Sequence, residues 1–343
     1  MLVTTQLAAQ NTLQWNTLPE LPGGKGWAGM YAGVSHGALI CAGGANFPGQ
    51  MPWEGGKKKW YDGLYILEPG KTWVKAAAKL PAPAGYGVTV SYGNRVIMVG
   101  GSNENGHLQG VTGYEWNVQK LTATAYPSLP QPLANMGGAL LGNTIVIVGG
   151  SQSPTGEALK ICYVLDLTAI QRGWVEMEAW PGPERIFPVC AVLNGTLYMF
   201  SGETSGLNSK GEKFRHILQD GYTLRLQQKN GRWTPLWERL PAPMPRGMSA
   251  GGSLLPVLGN DRFLFWGGVD GVTAQHKNPA THPGIIRNLL YYFPATDSWE
   301  FAGNKVEADA RVTLPVVYWN GQWVYVSGEI KPGVRTPSVI SVK

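Results

Sequence analysis

The 343-residue chain holds few of the residues that would mark metal, disulfide or membrane proteins. There are three cysteines, Cys41, Cys162 and Cys190, an odd number with no C-x-x-C spacing. Cys41 and Cys190 sit inside apolar, strand-like segments, so buried thiols are expected rather than disulfides or ligands. His36, His107, His216, His276 and His282 show no zinc spacing, and no metal or other cofactor is expected. No run of 18 apolar residues is present, so no membrane span is expected. No long segment repeats apolar residues at i, i+3, i+4 and i+7, which argues against a helical fold. Positive charge is in modest excess, +6 with a pI near 9.1, but it is scattered. The single run, Lys57-Lys58-Lys59, reads as a solvated turn, and a nucleic-acid partner is not expected. A mild positive field still favours an anionic small molecule. Serine-hydrolase elbow, P-loop and dinucleotide fingerprints are missing. The opening "MLVTTQLAAQ" lacks a charged n-region and a proper h-region, which leaves two expectations open: a cytoplasmic protein, or an exported one whose leader is not in this chain.

Glycine (47), proline (25), tryptophan (14) and tyrosine (14) are plentiful, and 43% of residues are apolar. That mix predicts short strands joined by tight turns around a sizeable core. A repeat runs through it. "LICAGGAN", "VIMVGGSN", "IVIVGGSQ", "LYMFSGET", "FLFWGGVD" and "VYVSGEIK" are apolar runs that close on Gly-Gly or Ser-Gly. Their second glycines, 44, 101, 150, 202, 268 and 328, are 57, 49, 52, 66 and 60 residues apart, near the kelch period of about 50. A turn with Gly or Asn precedes most of them ("YGNRV", "LGNTI", "LNGTL", "LGNDRF", "WNGQW"), as hairpins need. A further strand follows, and Trp73, Trp174, Trp233 and Trp299 then start a fourth, with "LTATAYPSLP" as the departure that has no Trp. The expectation is an all-β, six-bladed, kelch-type β-propeller forming one domain over 1–343. These tryptophans should pack between blades. The chain begins with the fourth-strand signature "LQWNTLPELP" and ends after a third strand, so the strand around Trp15 should complete the last blade from outside.

With strands A to D counted outward from the channel, all B–C and D–A loops share one face. The diglycine runs end B strands, which places Asn46, Asn103, Gln152, Glu203, Asp270 and Glu329 at the channel mouth. The D–A loops add Trp27, Tyr86, Asn135, Arg185, Arg246 and Arg311, and Arg335 follows in the Glu329 loop. Arginine forks match a planar carboxylate, and amides read hydroxyl or acetamido groups. Glu329 and Arg335, six residues apart in one Gly/Pro-stiffened loop, can move a proton and hold an anion together.

"GEIKPGVRT" at 328–336 and "AGGANFPG" at 42–49 are similar to segments of bacterial sialic acid mutarotases (N-acetylneuraminate epimerases), with weaker matches in "PERIFPVCAVLNGTLYMFSGE" and "PRGMSAGG". Their order suggests a cyclically permuted member, since the two blades stay neighbours on a closed ring. The resemblance implies interconversion of the α and β anomers of N-acetylneuraminate, with Glu329 as base and Arg335 as its partner. Arg185, Asn46, Glu203, Arg246, Arg311, Asn103 and Tyr86 are the candidate substrate contacts, with Tyr86 or a water on Glu203 as candidate acid. It further implies a periplasmic location, and a homodimer is possible. Two other readings stay open: a mutarotase for another acidic or acetamido sugar, or a non-catalytic kelch module that binds a glycan or a protein.

Overall fold

The computed structural model describes residues 13–207, 211, 213–229, 232–276, 278–303 and 306–343. Residues 1–12, where a leader was sought, and part of the 205–222 insert lie outside them. Six four-stranded antiparallel sheets stand around a channel. Blade I runs Tyr31–Ser35, Ala38–Ala42, Gly63–Leu67 and Val74–Lys79 from the inside out. Blade II is Val88–Tyr92, Arg95–Asn103, Gly106–Trp116 and Leu121–Ala125, and blade III is Gly137–Leu141, Thr144–Val148, Cys162–Asp166 and Val175–Met177. Blade IV is Val189–Leu193, Thr196–Phe200, Gly221–Lys229 and Arg232–Arg239, and blade V is Val257–Leu258, Arg262–Phe265, Leu289–Phe293 and Ser298–Gly303. Blade VI takes Val316–Trp319, Gln322–Val326 and Val339–Val342 from the end of the chain and Trp15–Leu18 from its start. Trp15 lies opposite Val342 and Leu18 opposite Val339, so the ring closes as expected. The fold is the all-β six-bladed propeller read from the repeat, and the helices among the described residues are 3-10 turns of three residues. None is long and apolar enough to cross a membrane.

The core is divided among the joints between blades. Six buried clusters fill six junctions: for example, Trp266, Val316 and Tyr325 between blades V and VI, and Leu39, Val324 and Val326 between VI and I. Burial of each such side chain contributes roughly 1.5–3 kcal/mol, so the blades hold one another rather than standing alone. The repeat tryptophans belong to these joints. Trp299 packs on Phe200 and Phe265, and the indole N–H groups of Trp73 and Trp174 donate to Pro19 and Pro127 carbonyls on the preceding blade. The Asn-Gly turns take positive φ at both residues, 49° and 71° at Asn194-Gly195 and 50° and 74° at Asn320-Gly321.

Two further features fix the face on which the loops converge. Each blade has one isolated antiparallel bridge between its D–A and B–C loops: Ala28–Ala45, Gly85–Ser102, Ala134–Ser151, Ile186–Glu203, Ser249–Val269 and Val312–Glu329. Next to these bridges, a cycle of backbone hydrogen bonds crosses every joint. Gly29 N–H donates to Thr313, Tyr86 to Gly29, Asn135 to Tyr86, Phe187 to Asn135, Ala250 to Phe187 and Thr313 to Ala250, at 2.6–3.2 Å. All six residues hold φ between 50° and 68°. That conformation is costly for Phe and Thr, and the closed cycle holds them there. The cavity at this collar is about 60 Å³, far below a sugar pocket, so the collar is a floor and a ligand would sit above it.

Candidate active site

Above the floor, three blades extend their B–C loops as hairpins: Ala45–Asn46 with Lys59–Trp60 in blade I, Glu203–Leu207 with Lys213–Ile217 in blade IV, and Glu329–Lys331 with Val334–Arg335 in blade VI. The last carries the expected pair. Glu329 lies directly opposite Arg335 in the ladder, and Glu329 Oε2 accepts from Arg335 Nη2 at 2.7 Å. The Arg335 side chain is 5% exposed, yet its Nε and Nη1 have no partner among the described residues. Phe47, from the blade I loop, covers the guanidinium at 4.9 Å. Gly333 (φ 79°) closes the hairpin; a Cβ there would touch Pro52 and Trp53 at 3.0 Å, so blade I packs tightly against the turn. Burial pushes the Glu329 carboxyl up, opposed by Arg335, by the Gly333 N–H and by Lys58.

Lys58 was read as part of a solvated turn, and the structure brings it into the site. Its ammonium stands 4.2 Å from the Tyr86 ring and 4.5 Å from Trp60. Tyr86 in turn lies across Gly29, where any Cβ would fall 2.6 Å from the ring, so glycine is required at that collar position. The "AGGANFPG" loop was the signal for Phe47, Lys58 and Trp60, but only spatial placement separates Lys58 from Lys57 and Lys59.

The remaining candidates fall into two groups. Arg185 is fully buried and donates to both Asp220 oxygens at 2.8 and 2.9 Å and to the Ser201 carbonyl at 2.7 Å. Burial alone would push the Asp220 carboxyl up, but the bonds and charge of Arg185, with a bond from Tyr222, hold it below the usual range. Arg311 donates to the Ser327 and Ser338 carbonyls, the Ser338 hydroxyl and the Asp309 carbonyl, and burial pushes it down to about 10. Arg246 donates to the Gly247 and Asn288 carbonyls, and burial also pushes it down to about 10. Asn46 bridges the Gly26 carbonyl and the Tyr61 hydroxyl, and Asn103 accepts from its neighbour Asn105. The polar groups of these five residues serve the frame of the mouth.

Glu203 belongs with Glu329. The bridges correct the sequence alignment by one residue: Glu203 and Glu329 are equivalent to Ala45, Ser102, Ser151 and Val269, not to Asn46, Asn103, Gln152 and Asp270. Glu203 Oε2 accepts from Ser249 Oγ at 2.7 Å and from Arg215 Nη2 at 2.6 Å. Two blades along, His107 spans the equivalent Ser102 (Nδ1, 3.0 Å) and Ser151 (Nε2, 3.1 Å). Burial holds His107 down to about 4, so it is neutral near pH 7. Neither Arg215 nor His107 carried a sequence signal, because each acts on a residue of a different repeat or on the far side of a hairpin.

At the opposite end of the channel, a cavity of about 210 Å³ is lined by residues such as Val90, Ala139, Leu255 and Val316, with no carboxylate or cation in its lining. The carboxylate–arginine pairs are at the other end, around Glu203 and Glu329.

Fold and mouth together define a propeller with an acid–arginine pair over a closed floor. A sequence model of the N-acetylneuraminate epimerase family matches residues 2–123 and 126–274, and the chain belongs to that family. The Glu329 hairpin lies beyond the matched residues. An N-acetylneuraminate epimerase of Haemophilus influenzae (strain PittEE) is 38% identical over 237 residues, covering 62% of this chain and 58% of that protein. One from Yersinia enterocolitica is 36% identical over 240 residues, covering 63% and 57%. The chain thus spans less than two thirds of the length of these curated relatives.

Proposed function

We propose that the protein is a mutarotase that interconverts the α and β anomers of N-acetylneuraminate by general acid–base catalysis. One observation carries the reading: a part-buried glutamate, with its carboxyl pushed up, shares one nitrogen of an arginine whose other two nitrogens meet no acceptor among the described residues. An unpartnered buried guanidinium calls for an anion. The carboxylate of an acidic sugar supplies it and places the adjacent anomeric carbon beside Glu329. Glu329 then takes the proton of the anomeric hydroxyl while a solvent water gives one to the ring oxygen, and the ring C–O bond breaks. The open-chain ketone rotates. The freed hydroxyl re-adds to the other face of the carbonyl and returns its proton to water, while the carbonyl oxygen recovers the proton from Glu329. A carboxyl raised toward neutrality suits transfer in both directions. Arg335 and, more weakly, Lys58 oppose that rise and so favour the ionised form that acts as base. By the same reading, the substrate is a small acidic sugar and the protein works in the periplasm.

The test is NMR of freshly released α-anomer. Glu329→Gln should cut the catalysed rate by about 10²–10⁴, down to the spontaneous level, with unfolding unchanged. A full rate in that variant would remove Glu329 from the reaction. Tight sugar binding with no anomerisation by the wild type would favour a binding module.

A further inference from the structure

Blades IV and VI carry one motif twice, offset by 126 residues: Arg185 and Arg311, Asn194-Gly195 and Asn320-Gly321, Ser201-Gly202-Glu203 and Ser327-Gly328-Glu329. The structure treats the copies alike. Each arginine donates to the carbonyl of its serine (2.7 and 3.1 Å), and each serine sits at positive φ (52° and 55°). Each glutamate occupies the bridge position at the mouth and opens a hairpin that returns an arginine to it, at 2.6 Å in blade IV and 2.7 Å in blade VI. The other four blades put Ala, Ser, Ser and Val at that position.

The copies differ in what they offer. Arg335 is 5% exposed and leaves donors for an anion, whereas Arg215 is 43% exposed and stands beside a carboxylate that also takes the Ser249 hydroxyl. Two donors on Oε2 do not exhaust the roughly four acceptor sites of a carboxylate. Such a group repels a second anion but accepts hydroxyl protons, while the neighbouring guanidinium donates to hydroxyl oxygens. Between the two pairs, blade V presents the apolar Val269 and Ala250, flanked by Asp270 and Arg246, as a surface against which a sugar ring can lie.

Resting on the proposed activity, we infer that Glu203 and Arg215 form a second subsite that binds the polyhydroxylated tail of the substrate, opposite in character to the carboxylate-binding Arg335. The pair sets orientation and specificity and takes no part in proton transfer.

Glu203→Gln and Arg215→Ala are compared with wild type, on N-acetylneuraminate and on an analogue whose glycerol tail is cut back. KM for the full-length sugar should rise about tenfold in both variants, with kcat and the KM of the short analogue changed by no more than about twofold. In saturation-transfer NMR, the tail protons should receive strong saturation from wild type and lose it in the variants. A purely structural role would move both sugars together. An equal rise for both sugars, a fall in kcat alone, or no change for either would overturn the subsite. Arg215→Ala, at a half-exposed position, carries the test if Glu203→Gln fails to fold. If wild type does not anomerise the sugar yet saturates its tail, and the variants do not, the activity is wrong and the subsite stands.

Discussion

Arg185, in a D–A loop, and Arg335, in a B–C hairpin, sit at the same mouth, both out of solvent, and do opposite things. Arg185 holds Asp220 with two bonds and a backbone carbonyl with a third, so only its Nε lacks a partner. Arg335 holds Glu329 through one nitrogen and leaves two without any. A buried cation with all but one of its nitrogens answered by the protein is part of the frame. One left half-answered costs stability, which makes sense when a ligand completes it. Burial therefore does not separate frame from site; the tally of unanswered donors does.

The sharpest way to break this comparison is at the frame. Asp220→Ala strands a fully buried guanidinium, and loss of one partner of such a pair costs about 3–5 kcal/mol. Urea unfolding should show that loss, while the protein that remains folded keeps its KM. A large KM effect with little loss of stability would return Arg185 to the substrate site. Wild type should show a related weakness in acid. The folded Asp220 value lies below the unfolded one, so its contribution is present above the ordinary aspartate range and is lost as pH falls through the folded value.

At the site the effect should reverse. Arg335→Gln removes a charge-assisted contact to the substrate, worth about 1.5–3 kcal/mol, so kcat/KM should fall roughly 10- to 100-fold. Stability should change little, because two of the arginine nitrogens held nothing in the free protein. Unfolding that drops as far as in Asp220→Ala would show that Arg335 is frame after all.

The sequence carried the repeat, the closure by Trp15 and the Glu329–Arg335 loop, because each is a local pattern: a strand ending, a tryptophan register, a six-residue turn. It did not separate the arginines, because a latch in a D–A loop and a clamp in a B–C hairpin are the same residue type at the same mouth. For Arg185 the distinguishing partner is Asp220, 35 residues further on and just before the C strand. The one-residue slip at Asn46 and Asn103 has a similar origin. Glycine pairs mark the strand end, but the bridge to the D–A loop decides which following residue faces the channel. The collar of positive-φ residues was invisible, because Tyr, Asn, Phe, Ala and Thr share no side-chain chemistry there and only their backbones agree.

His107 is a third case, answered in one protonation state. Ser102 Oγ donates to the Gly106 carbonyl, so it accepts from Nδ1–H, and Nε2 accepts from Ser151. A second proton would put a charge where burial penalises it and would require Ser151 to turn its hydroxyl and accept from Nε2–H. The folded value is about 4, while an unfolded histidine titrates near 6.5. Across that window the unfolded chain binds a proton that the folded one refuses, so stability is full above about 6.5 and declines as pH falls toward 4. Glu329 works the other way: its raised value makes the folded state take up a proton first, which adds stability as pH falls. The urea midpoint of His107→Gln should therefore decline less than wild type between pH 7 and 4.5, and that of Glu329→Gln more. Equal slopes in His107→Gln and wild type would mean that solvent answers the charged imidazole, and that this side of the mouth is open rather than frame.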